Sequence, residues 1–390
     1  MTKKLYWEDS YETKFTAKVT SVKETGFVLD KTLFYPESGN QLSDRGYIKI
    51  EDFKVKIEKI TKDGDDIIHH IPSDLKDKIK IGDKVEGEID WQYRYGLMKA
   101  HSSQHVFSAV LKETYDIDTL HAILNHEEVF LQISQKLDYE QLKEILYEVN
   151  KICTAKNYKI SANIIPRTKV QEIADKIRSQ IPNEPEVRLM EIENLDLVCC
   201  GGTHVQNTTE IGSIFVYDFK KGNKIRYYVG NKATLNSSNI NINIINLANN
   251  LNIPVLKLRE IVKKRLELFE DIQNQHKDLS YKFLDAISKS QDKVINNIPL
   301  YYIDFDIDIK ILSKSLSVFP QDSLLIVEMG KNKIRLLSLS EKIDANKLLQ
   351  RLVNKYRGKG GGNSKSAQVI LEKMPESLLS DVEHILRETE

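Results

Sequence analysis

Two short stretches of the sequence contain residue types that bind transition metals. His101 and His105 lie four residues apart in HSSQH, and Cys200 and His204 lie four apart in CGGTH. On a helix, side chains four residues apart project from one face, so the two histidines can grip a single cation. The two glycines after Cys200 let the backbone fold tightly at the end of a strand. Together the four side chains offer three nitrogens and one sulfur, which is a donor set for zinc.

HSSQH alone is weak evidence for a metal, because a helix with two hydrogen-bonded histidines fits it equally well. It also lacks the glutamate of HExxH, the general base of a metalloprotease, which excludes that class. Cys199 is expected on the opposite strand face as a small buried apolar residue, and Cys153 continues an apolar helical stripe. The histidines without a partner motif are interpreted as ordinary: His69, His70, His121, His126, His276 and His384.

Composition limits the class of protein. The chain has 390 residues, 57 basic and 57 acidic residues and 41% hydrophobic residues. This length fits two to three domains, and the balance excludes a disordered or globally basic chain. The first fifteen residues lack the apolar core of a signal peptide, and no run of about eighteen apolar residues occurs. The three cysteines fit a reducing compartment. We expect a cytoplasmic protein with no membrane partner.

The predicted fold class is α+β. Short β-rich runs separated by turn residues predict a small antiparallel β-barrel at residues 1–88. Asp90 is suited to cap a helix over the following WQYRYGLMKAHSSQHVFSAVLKETY, which has no proline. Helices interleaved with the strand-like VRLMEIEN, LDLVCC, SIFVYDF and KIRYYVG predict a two-layer α+β domain at residues 89–235, which holds the metal ligands.

A helical linker is predicted at residues 236–294, with a long helix beginning near Pro254. Steps of four and three residues from Val255 to Phe283 visit nine positions, seven of them apolar, as in a helical hairpin or short coiled coil. Arg265 and His276 interrupt this seam, which leaves open both a packed hairpin and a homodimer through the C-terminal half. A last α+β domain is predicted at residues 295–390, with a glycine-rich loop at residues 358–362.

Two basic windows are candidate nucleic-acid surfaces. Residues 215–234 hold five cations against one aspartate, with Tyr227 and Tyr228 interleaved for stacking. Residues 350–370 hold five cations and no acidic residue, beside glycine amides that can cradle phosphates. A flexible solvated loop is the alternative for the glycine run. The candidate contacts are Lys220, Lys221, Lys224, Arg226, Arg357, Lys359, Gly360, Gly361, Gly362 and Lys365.

Three ordered motifs resemble the alanyl-tRNA editing proteins of the AlaX family, which also form the editing domain of alanyl-tRNA synthetases. They are TLFYPESGNQLSDRG at residues 32–46, DWxxR followed by MxxHSSQH at residues 90–105, and DLVCCGGTHVQNTTEIG at residues 196–212. RGKGGGNSKSAQ at residues 357–368 is similar to the glycine-rich motif near the end of the synthetase's C-terminal tRNA-binding domain. The resemblance spans almost the whole chain, as in large-type AlaX.

The resemblance implies hydrolysis of the ester in mischarged tRNA, with zinc as cofactor. It implies that Thr32 contacts the amino acid and that Gln41 contacts the substrate or assists catalysis by a zinc-bound water. An ordinary strand threonine and simple loop bonding are the alternatives. The implied zinc ligands are His101, His105, Cys200 and His204. The family usually has three glycines before the glutamine, where this chain has Ser38, Gly39 and Asn40. Serine tolerates positive φ poorly, so a shifted loop is expected.

The chemistry also follows from the residues. An aminoacyl ester needs a polarised carbonyl and a nucleophilic water, and zinc can supply both. Four protein ligands would close the site, so we expect one weak ligand or a fifth position for substrate. The competing view is that zinc orients the substrate while the tRNA ribose hydroxyl activates water. A site that bonds serine's hydroxyl leaves polar groups unpaired with alanine, a discrimination of roughly 10⁴ or more. Thr32 is the candidate partner of that hydroxyl.

The sequence therefore predicts a stand-alone, zinc-dependent aminoacyl-tRNA deacylase that acts in trans and does not charge tRNA. Its partner would be alanine-specific tRNA charged with serine or glycine. Editing domains of threonyl-tRNA synthetases share the paired HxxxH and CxxxH pattern, so seryl-tRNA specific for threonine is the alternative substrate. A non-catalytic tRNA-binding protein with structural zinc is the alternative from another class.

Overall fold

The computed structural model describes residues 2–51, 53–305 and 307–388. The chain divides into two compact units, Met1–Leu247 and Ala248–Glu390. Both units combine helices with largely antiparallel sheets, so the predicted α+β class is confirmed. Among the described residues, no helix combines the length and the apolar character needed to span a membrane.

The first unit opens with a β-rich region. Its described strands are β1 (Lys3–Lys4), β2 (Lys14–Lys23), β3 (Gly26–Leu29), β4 (Lys31–Thr32), β5 (Gly46–Ile50), β6 (Phe53–Ile57), β7 (Ile60–Asp63), β8 (Asp66–His70) and β9 (Lys84–Ile89). One antiparallel sheet has the order β6-β5-β9-β2-β3-β8-β7, and β1 pairs in parallel with β4. In the described pairings, β6 and β7 lie at the two edges of this sheet and do not pair with each other. In a closed barrel, the first and last strands of the sheet would be paired.

The rest of the first unit places helices against two further antiparallel sheets. The elements are α1 (Trp91–Tyr115), β10 (Thr119–Asn125), β11 (Glu128–Ile133), α2 (Tyr139–Lys151), β12 (Ile160–Pro166), α3 (Arg167–Gln171), β13 (Glu186–Ile192), β14 (Asp196–Cys199), β15 (Ile214–Lys220), β16 (Lys224–Val229) and α4 (Gly230–Asn250). The sheets have the orders β10-β11-β16-β15 and β12-β13-β14. Helix α4 begins directly after β16. It therefore precedes the long helix that the sequence predicted near Pro254.

Helix α1 has the predicted bounds. The Asp90 side chain caps it by accepting a hydrogen bond from the Tyr93 N–H at 3.2 Å. The helix ends at Tyr115, and the following Asp116 adopts a left-handed conformation with φ of 54°. Apolar residues of α1, including Val106, Phe107 and Val110, are buried in the largest core of this unit. The same core encloses Cys153, which is fully buried as the apolar stripe predicted.

The second unit is a six-stranded sheet with helices on both faces. Its elements are α5 (Leu258–Ser288), β17 (Lys293–Ile295), β18 (Ile298–Ile303), α6 (Ile309–Ser315), β19 (Leu324–Glu328), β20 (Lys333–Ser338), α7 (Ala345–Tyr356), β21 (Gly358–Gly362), β22 (Ser366–Leu371) and α8 (Leu378–Arg387). The strand order is β17-β18-β19-β20-β22-β21, with only β18 and β19 parallel among the described pairs. One core packs α7 and α8 on the sheet, and another packs α6 and the end of α5.

The glycine run is a strand rather than the predicted loop. Strand β21 lies at the edge of the sheet and pairs with β22, from Gly358 opposite Leu371 to Gly362 opposite Ala367. A Cβ at Gly360 would lie 2.2 Å from the Gln368 carbonyl oxygen, so a side chain there cannot fit. Alternate glycines are therefore needed for close approach of the two strands.

A buried ion pair joins α1 to the segment that precedes β5. Arg94 and Asp44 have fully buried side chains, and Arg94 Nε donates to Asp44 Oδ1 at 2.7 Å. The guanidinium also donates from Nη1 to the Ser10 carbonyl at 3.1 Å and from Nη2 to Asp44 and the Leu33 carbonyl. Asp44 accepts a further hydrogen bond from the Tyr35 N–H. The pair thus fixes residues 33–44 against the start of the helix.

Removing one partner of this pair should destabilise the protein strongly. Arg94→Lys and Asp44→Asn each leave buried polar groups without their bidentate partner, a loss of about 3–5 kcal/mol in the free energy of unfolding. Urea denaturation at neutral pH measures it. Arg45→Lys is the matched control, because Arg45 is exposed and should change stability by less than about 0.5 kcal/mol. Equal stability of the three variants would contradict the role given to the pair.

Candidate metal centre

The structure brings together the four residues of the two metal-type motifs. The ligand atoms of His101, His105, Cys200 and His204 all lie within 4.8 Å of one another. Cys200 Sγ is 3.4 Å from His101 Nε2 and 3.2 Å from His204 Nε2. Helix α1 supplies two ligands from one face, and the turn that follows β14 supplies the other two. Thus one helix turn and one strand end suffice to build the cluster.

Gly202 allows this turn to lie against the helix. A Cβ at Gly202 would be 2.2 Å from His101 Cε1 and 3.0 Å from Gln41 Oε1. Such contacts are too short for any side chain, so the glycine is required by the close approach of the turn to His101. The equivalent position on Gly201 is less restricted, since its nearest neighbour is a Trp7 ring atom at 3.8 Å.

Protein groups hold two of the imidazoles with Nε2 directed to the cluster. His101 Nδ1 donates to Gln41 Oε1 at 2.7 Å, which leaves the Nε2 lone pair for a ligand bond. His204 Nδ1 lies 3.2 Å from Ser102 Oγ, which also accepts from the Val205 N–H. Such partners of the second ring nitrogen fix the tautomer and the ring orientation of metal-binding histidines.

The surroundings of His105 fit a bound cation. Its Nε2 is buried and has no hydrogen-bond partner among the described residues. On the other side of the ring, Nδ1 faces Asp196 Oδ2 at 3.9 Å. Arg178 fixes that carboxylate through Nε–Oδ1 and Nη2–Oδ2 hydrogen bonds of 2.8 and 2.6 Å. A buried ring nitrogen without a partner is costly, and a metal ion at the centre of the cluster would satisfy it.

Burial sets the protonation of the cluster. It lowers the pKa of His101 to about 3, with the Arg188 charge acting in the same direction. Burial also lowers the pKa of His105 and of His204 well below the ordinary value, and neighbouring imidazoles add to the effect. It raises the pKa of the Cys200 thiol, against the opposing influence of the Gly202 N–H and Arg188. The imidazoles are therefore neutral and ready to bind, whereas the thiol must lose a proton to a metal.

Gln41 is occupied within the protein. Its side chain is fully buried, with Oε1 accepting from His101 and Nε2 donating to Thr203 Oγ1 at 2.9 Å. Gln41 therefore orients His101, and both ends of its amide are already hydrogen-bonded within the protein. Thr32 is also fully buried, with Oγ1 2.9 Å from His69 Nε2 and accepting from the Phe34 N–H at 3.1 Å. Its contact with an amino acid stays a prediction.

The Ser38-Gly39-Asn40 departure from the family pattern fits its turn. Ser38 and Gln41 exchange backbone hydrogen bonds of 3.2 and 3.0 Å across the turn. The two residues between them have positive φ, 57° at Gly39 and 65° at Asn40. Ser38 itself does not have a positive φ. The serine is therefore not strained at this position.

The candidate tRNA contacts lie in both units. Lys220, Lys221, Lys224 and Arg226 belong to the β15–β16 hairpin, where Asp218 pairs with Lys220 at 3.1 Å. The second set lies on and beside the edge strand β21. The prediction of stacking by Tyr227 is wrong, because its ring is fully buried. Tyr228 instead stacks on Tyr217 with ring centres 4.3 Å apart.

Sequence reasoning missed Arg188, which lies in β13. Its Nη1 donates to the carbonyls of Cys200 and Gly202 at 2.9 Å each, so it anchors the turn that holds two of the cluster residues. Arg188 and Cys200 line a cleft of about 820 Å³ in the first unit. Cys199 lines it too and is only half-buried, not the buried residue that the sequence predicted. No local pattern marked Arg188, because β13 also carries Glu186 and Glu191.

Two family models match parts of the chain. Residues 7–93 match the model of class II (A) tRNA synthetases. Residues 187–226 match the model of the threonyl and alanyl tRNA synthetase second additional domain. The second match includes β14, Cys200 and His204, and also Arg188.

Sequence comparisons find related proteins. The chain is 29% identical to an alanyl-tRNA editing protein, AlaX-L, of Pyrococcus horikoshii, over 97% of this chain and 96% of that protein. It is 29% identical to an alanine–tRNA ligase of Sulfurisphaera tokodaii over 98% of this chain but only 44% of the ligase. A ligase of Saccharolobus islandicus is 35% identical over 56% of this chain and 25% of its own length. The chain thus spans less than half of these ligases.

Metal binding should release about one proton per ion. At pH 7.5 the Cys200 thiol is protonated because burial raises its pKa, and it must become a thiolate on binding, whereas the imidazoles are already neutral. Calorimetric titration of the metal-free protein with Zn²⁺ in buffers of different ionisation enthalpy measures this release. Co²⁺ should give a sulfur-to-metal absorption band that Cys200→Ser abolishes.

His105→Ala should weaken this binding by more than tenfold. The matched control is His121→Ala, which removes an exposed histidine outside the cluster. Binding without proton release, or equal weakening in the two histidine variants, would contradict the assignment of the ligands.

Proposed function

Because the chain belongs to the AlaX family of alanyl-tRNA editing proteins, we propose that it is an aminoacyl-tRNA deacylase that acts in trans on mischarged tRNA. The enzyme class is a hydrolase of carboxylic esters. The observation that most supports it is the buried three-nitrogen, one-sulfur cluster beside an open cleft. Water adds across the ester bond, its hydroxyl joining the carbonyl carbon and its other proton going to the ribose oxygen.

Zinc is the proposed cofactor, held by His101, His105, Cys200 and His204. When bound, it supplies Lewis acidity that polarises an ester carbonyl or lowers the pKa of water. The protein's part is to hold the ligands in place: Gln41 orients His101, and Ser102 orients His204. The turn anchored by Arg188 brings Cys200 to the mouth of the cleft, where an ester can approach.

The proposed substrate is alanine-specific tRNA charged with serine or glycine. Discrimination against correctly charged alanine requires a polar group that is left unpaired when no hydroxyl enters the site. Thr32 is the proposed partner of the serine hydroxyl. Its Oγ1 already accepts one hydrogen bond from Phe34 and contacts His69, so contact with serine would use the remaining bonding capacity of this oxygen.

Two alternatives have specific support. The first is that the substrate is seryl-tRNA specific for threonine, because the matched second additional domain is described for threonyl as well as alanyl synthetases. The second is that the protein binds tRNA without catalysis. Four protein ligands would by themselves complete a tetrahedral site, as in a structural zinc centre.

Deacylation assays on three substrates decide among these functions. We expect rapid loss of serine from alanine-specific tRNA, with alanyl-tRNA and threonine-specific seryl-tRNA left intact. His101→Ala should lower kcat/KM by at least 100-fold because it removes a ligand, and His121→Ala should match the wild type. Release from the threonine tRNA alone would move the substrate to the first alternative. No release by a zinc-loaded, tRNA-binding preparation would favour the second.

The four-domain division at residues 1–88, 89–235, 236–294 and 295–390 is part of this proposal, with a barrel-like first domain and a tRNA-binding last domain. A homodimer through the C-terminal half is also proposed. Four apolar residues of α5 that lie along the predicted seam are exposed and would be covered by such pairing: Phe269, Ile272, Leu279 and Phe283.

The edge strand β21 is proposed to contact the tRNA backbone. Lys359 and Lys365 lie on this strand and on the turn after it, and both are exposed. Replacing both by Ala should weaken tRNA binding and reduce the slope of log K against log salt by about one unit per lost phosphate contact, with zinc content unchanged. Lys78→Ala and Lys80→Ala together form the control, since these exposed lysines lie in the first unit, outside both candidate surfaces. An unchanged slope would remove this strand from the tRNA interface.

A further inference from the structure

Arg188 is a half-buried cation without an acidic partner. No ion pair joins it to an acidic residue of the described chain. A guanidinium withdrawn from water is costly unless a negative group or hydrogen bonds compensate it. The guanidinium of Arg188 is therefore available to an anion, in a cleft that Asp65, Glu184 and Glu186 also line without pairing with it.

Two of the three guanidinium nitrogens of Arg188 have no partner among the described residues. Nη1 is engaged with the Cys200 and Gly202 carbonyls, whereas Nε and Nη2 have no hydrogen-bond partner among the described residues. They are not among the buried polar atoms without partners, and Arg188 lines the open cleft. Two parallel N–H donors on one guanidinium match two oxygens of a phosphate.

An aromatic side chain is fixed on the same turn. Trp7 also lines the cleft, and its Nε1 donates to the Gly201 carbonyl at 2.8 Å. Lys4 Nζ lies 3.9 Å above the Trp7 ring, so a second cation stands at this wall. Aromatic rings beside cations are the usual contacts of a nucleotide in single-stranded nucleic acid. The cleft of about 820 Å³ is large enough for one nucleotide.

The cluster and the cleft share the turn after β14. Cys200 belongs to the cluster and lines the cleft, and its carbonyl accepts from Arg188. In an aminoacyl nucleotide, a single sugar ring separates the ester on the ribose from the 5′-phosphate. A nucleotide with its ester at the cluster can therefore place its phosphate in the cleft whose wall holds Arg188.

We propose that this cleft is the subsite for the 3′-terminal nucleotide of the acylated RNA, with Arg188 Nε and Nη2 contacting its 5′-phosphate and Trp7 flanking its base. This inference rests on the proposed function and adds the residue that recognises the phosphate. Arg188 has two roles, because Nη1 anchors the turn while the remaining donors bind the substrate. The zinc content of each Arg188 variant must therefore be measured beside its binding and activity.

Binding of adenosine 5′-monophosphate tests the subsite without any reaction. The chain has two tryptophans, so Trp91→Phe leaves Trp7 as the fluorescent reporter. We expect quenching by the monophosphate and by the trinucleotide CCA, in which this phosphate is a diester, and at least tenfold weaker binding of adenosine. Arg188→Lys and Arg188→Gln should reduce the monophosphate affinity to that of adenosine, and Arg45→Gln should not change it. Calorimetry on the chain with both tryptophans repeats the comparison.

A substrate without the phosphate separates the two roles of Arg188. Arg188→Lys should lower kcat/KM on seryl-tRNA at least tenfold more than on 3′-O-seryl-adenosine, with both esters assayed on protein of equal zinc content, because loss of the Nη1 anchor affects both esters whereas loss of the phosphate contact affects only the tRNA. Equal losses on both esters, or none on either, would overturn the phosphate contact. Binding of the monophosphate but not of CCA would overturn the assignment to an RNA end. Arg188-dependent binding of both probes with no ester hydrolysed would overturn the proposed function while supporting the subsite.

Discussion

The buried Arg94–Asp44 pair is the constraint on which the site depends. One guanidinium at the start of α1 is held by a carboxylate and by the carbonyls of Ser10 and Leu33, so three separate stretches of chain meet at one charge. Residues 33–44 are thereby fixed against the helix, and Gln41 within that segment reaches His101. Loss of the pair would leave a buried charge uncompensated and would also release the group that orients a metal-type ligand.

The electrostatics of the cluster favour a metal ion over a proton. Three buried imidazoles that lie close together repel one another when charged, and the nearby Arg188 guanidinium opposes protonation further. Their lone pairs remain available at neutral pH, and the unsatisfied Nε2 of His105 shows what the protein alone does not provide. The same positive surroundings that keep the histidines neutral favour a thiolate at Cys200 once its proton is displaced.

The turn after β14 links the metal-type cluster to the cleft. It carries Cys200 and His204, and its carbonyls accept hydrogen bonds from Arg188 and Trp7. Gly202 gives the turn its shape, because a Cβ there would collide with His101. The CGGTH sequence is thus explained by two constraints at once, the spacing of the ligands and the close approach of backbone to helix α1.

The sequence by itself determined what local spacing can encode. The i, i+4 histidines and the glycines between Cys200 and His204 indicated the ligand types. Asp90 and a stretch without proline predicted the bounds of α1, and strand-like runs interleaved with helices predicted the α+β class. The edge strand β21 was predicted as a loop, because glycine runs are flexible unless a neighbouring strand lies too close for side chains. Arg188 and the burial of Tyr227 followed from no local pattern either. Only tertiary structure decided these features, because burial, hydrogen-bond partners and strand pairing arise between residues distant in the chain.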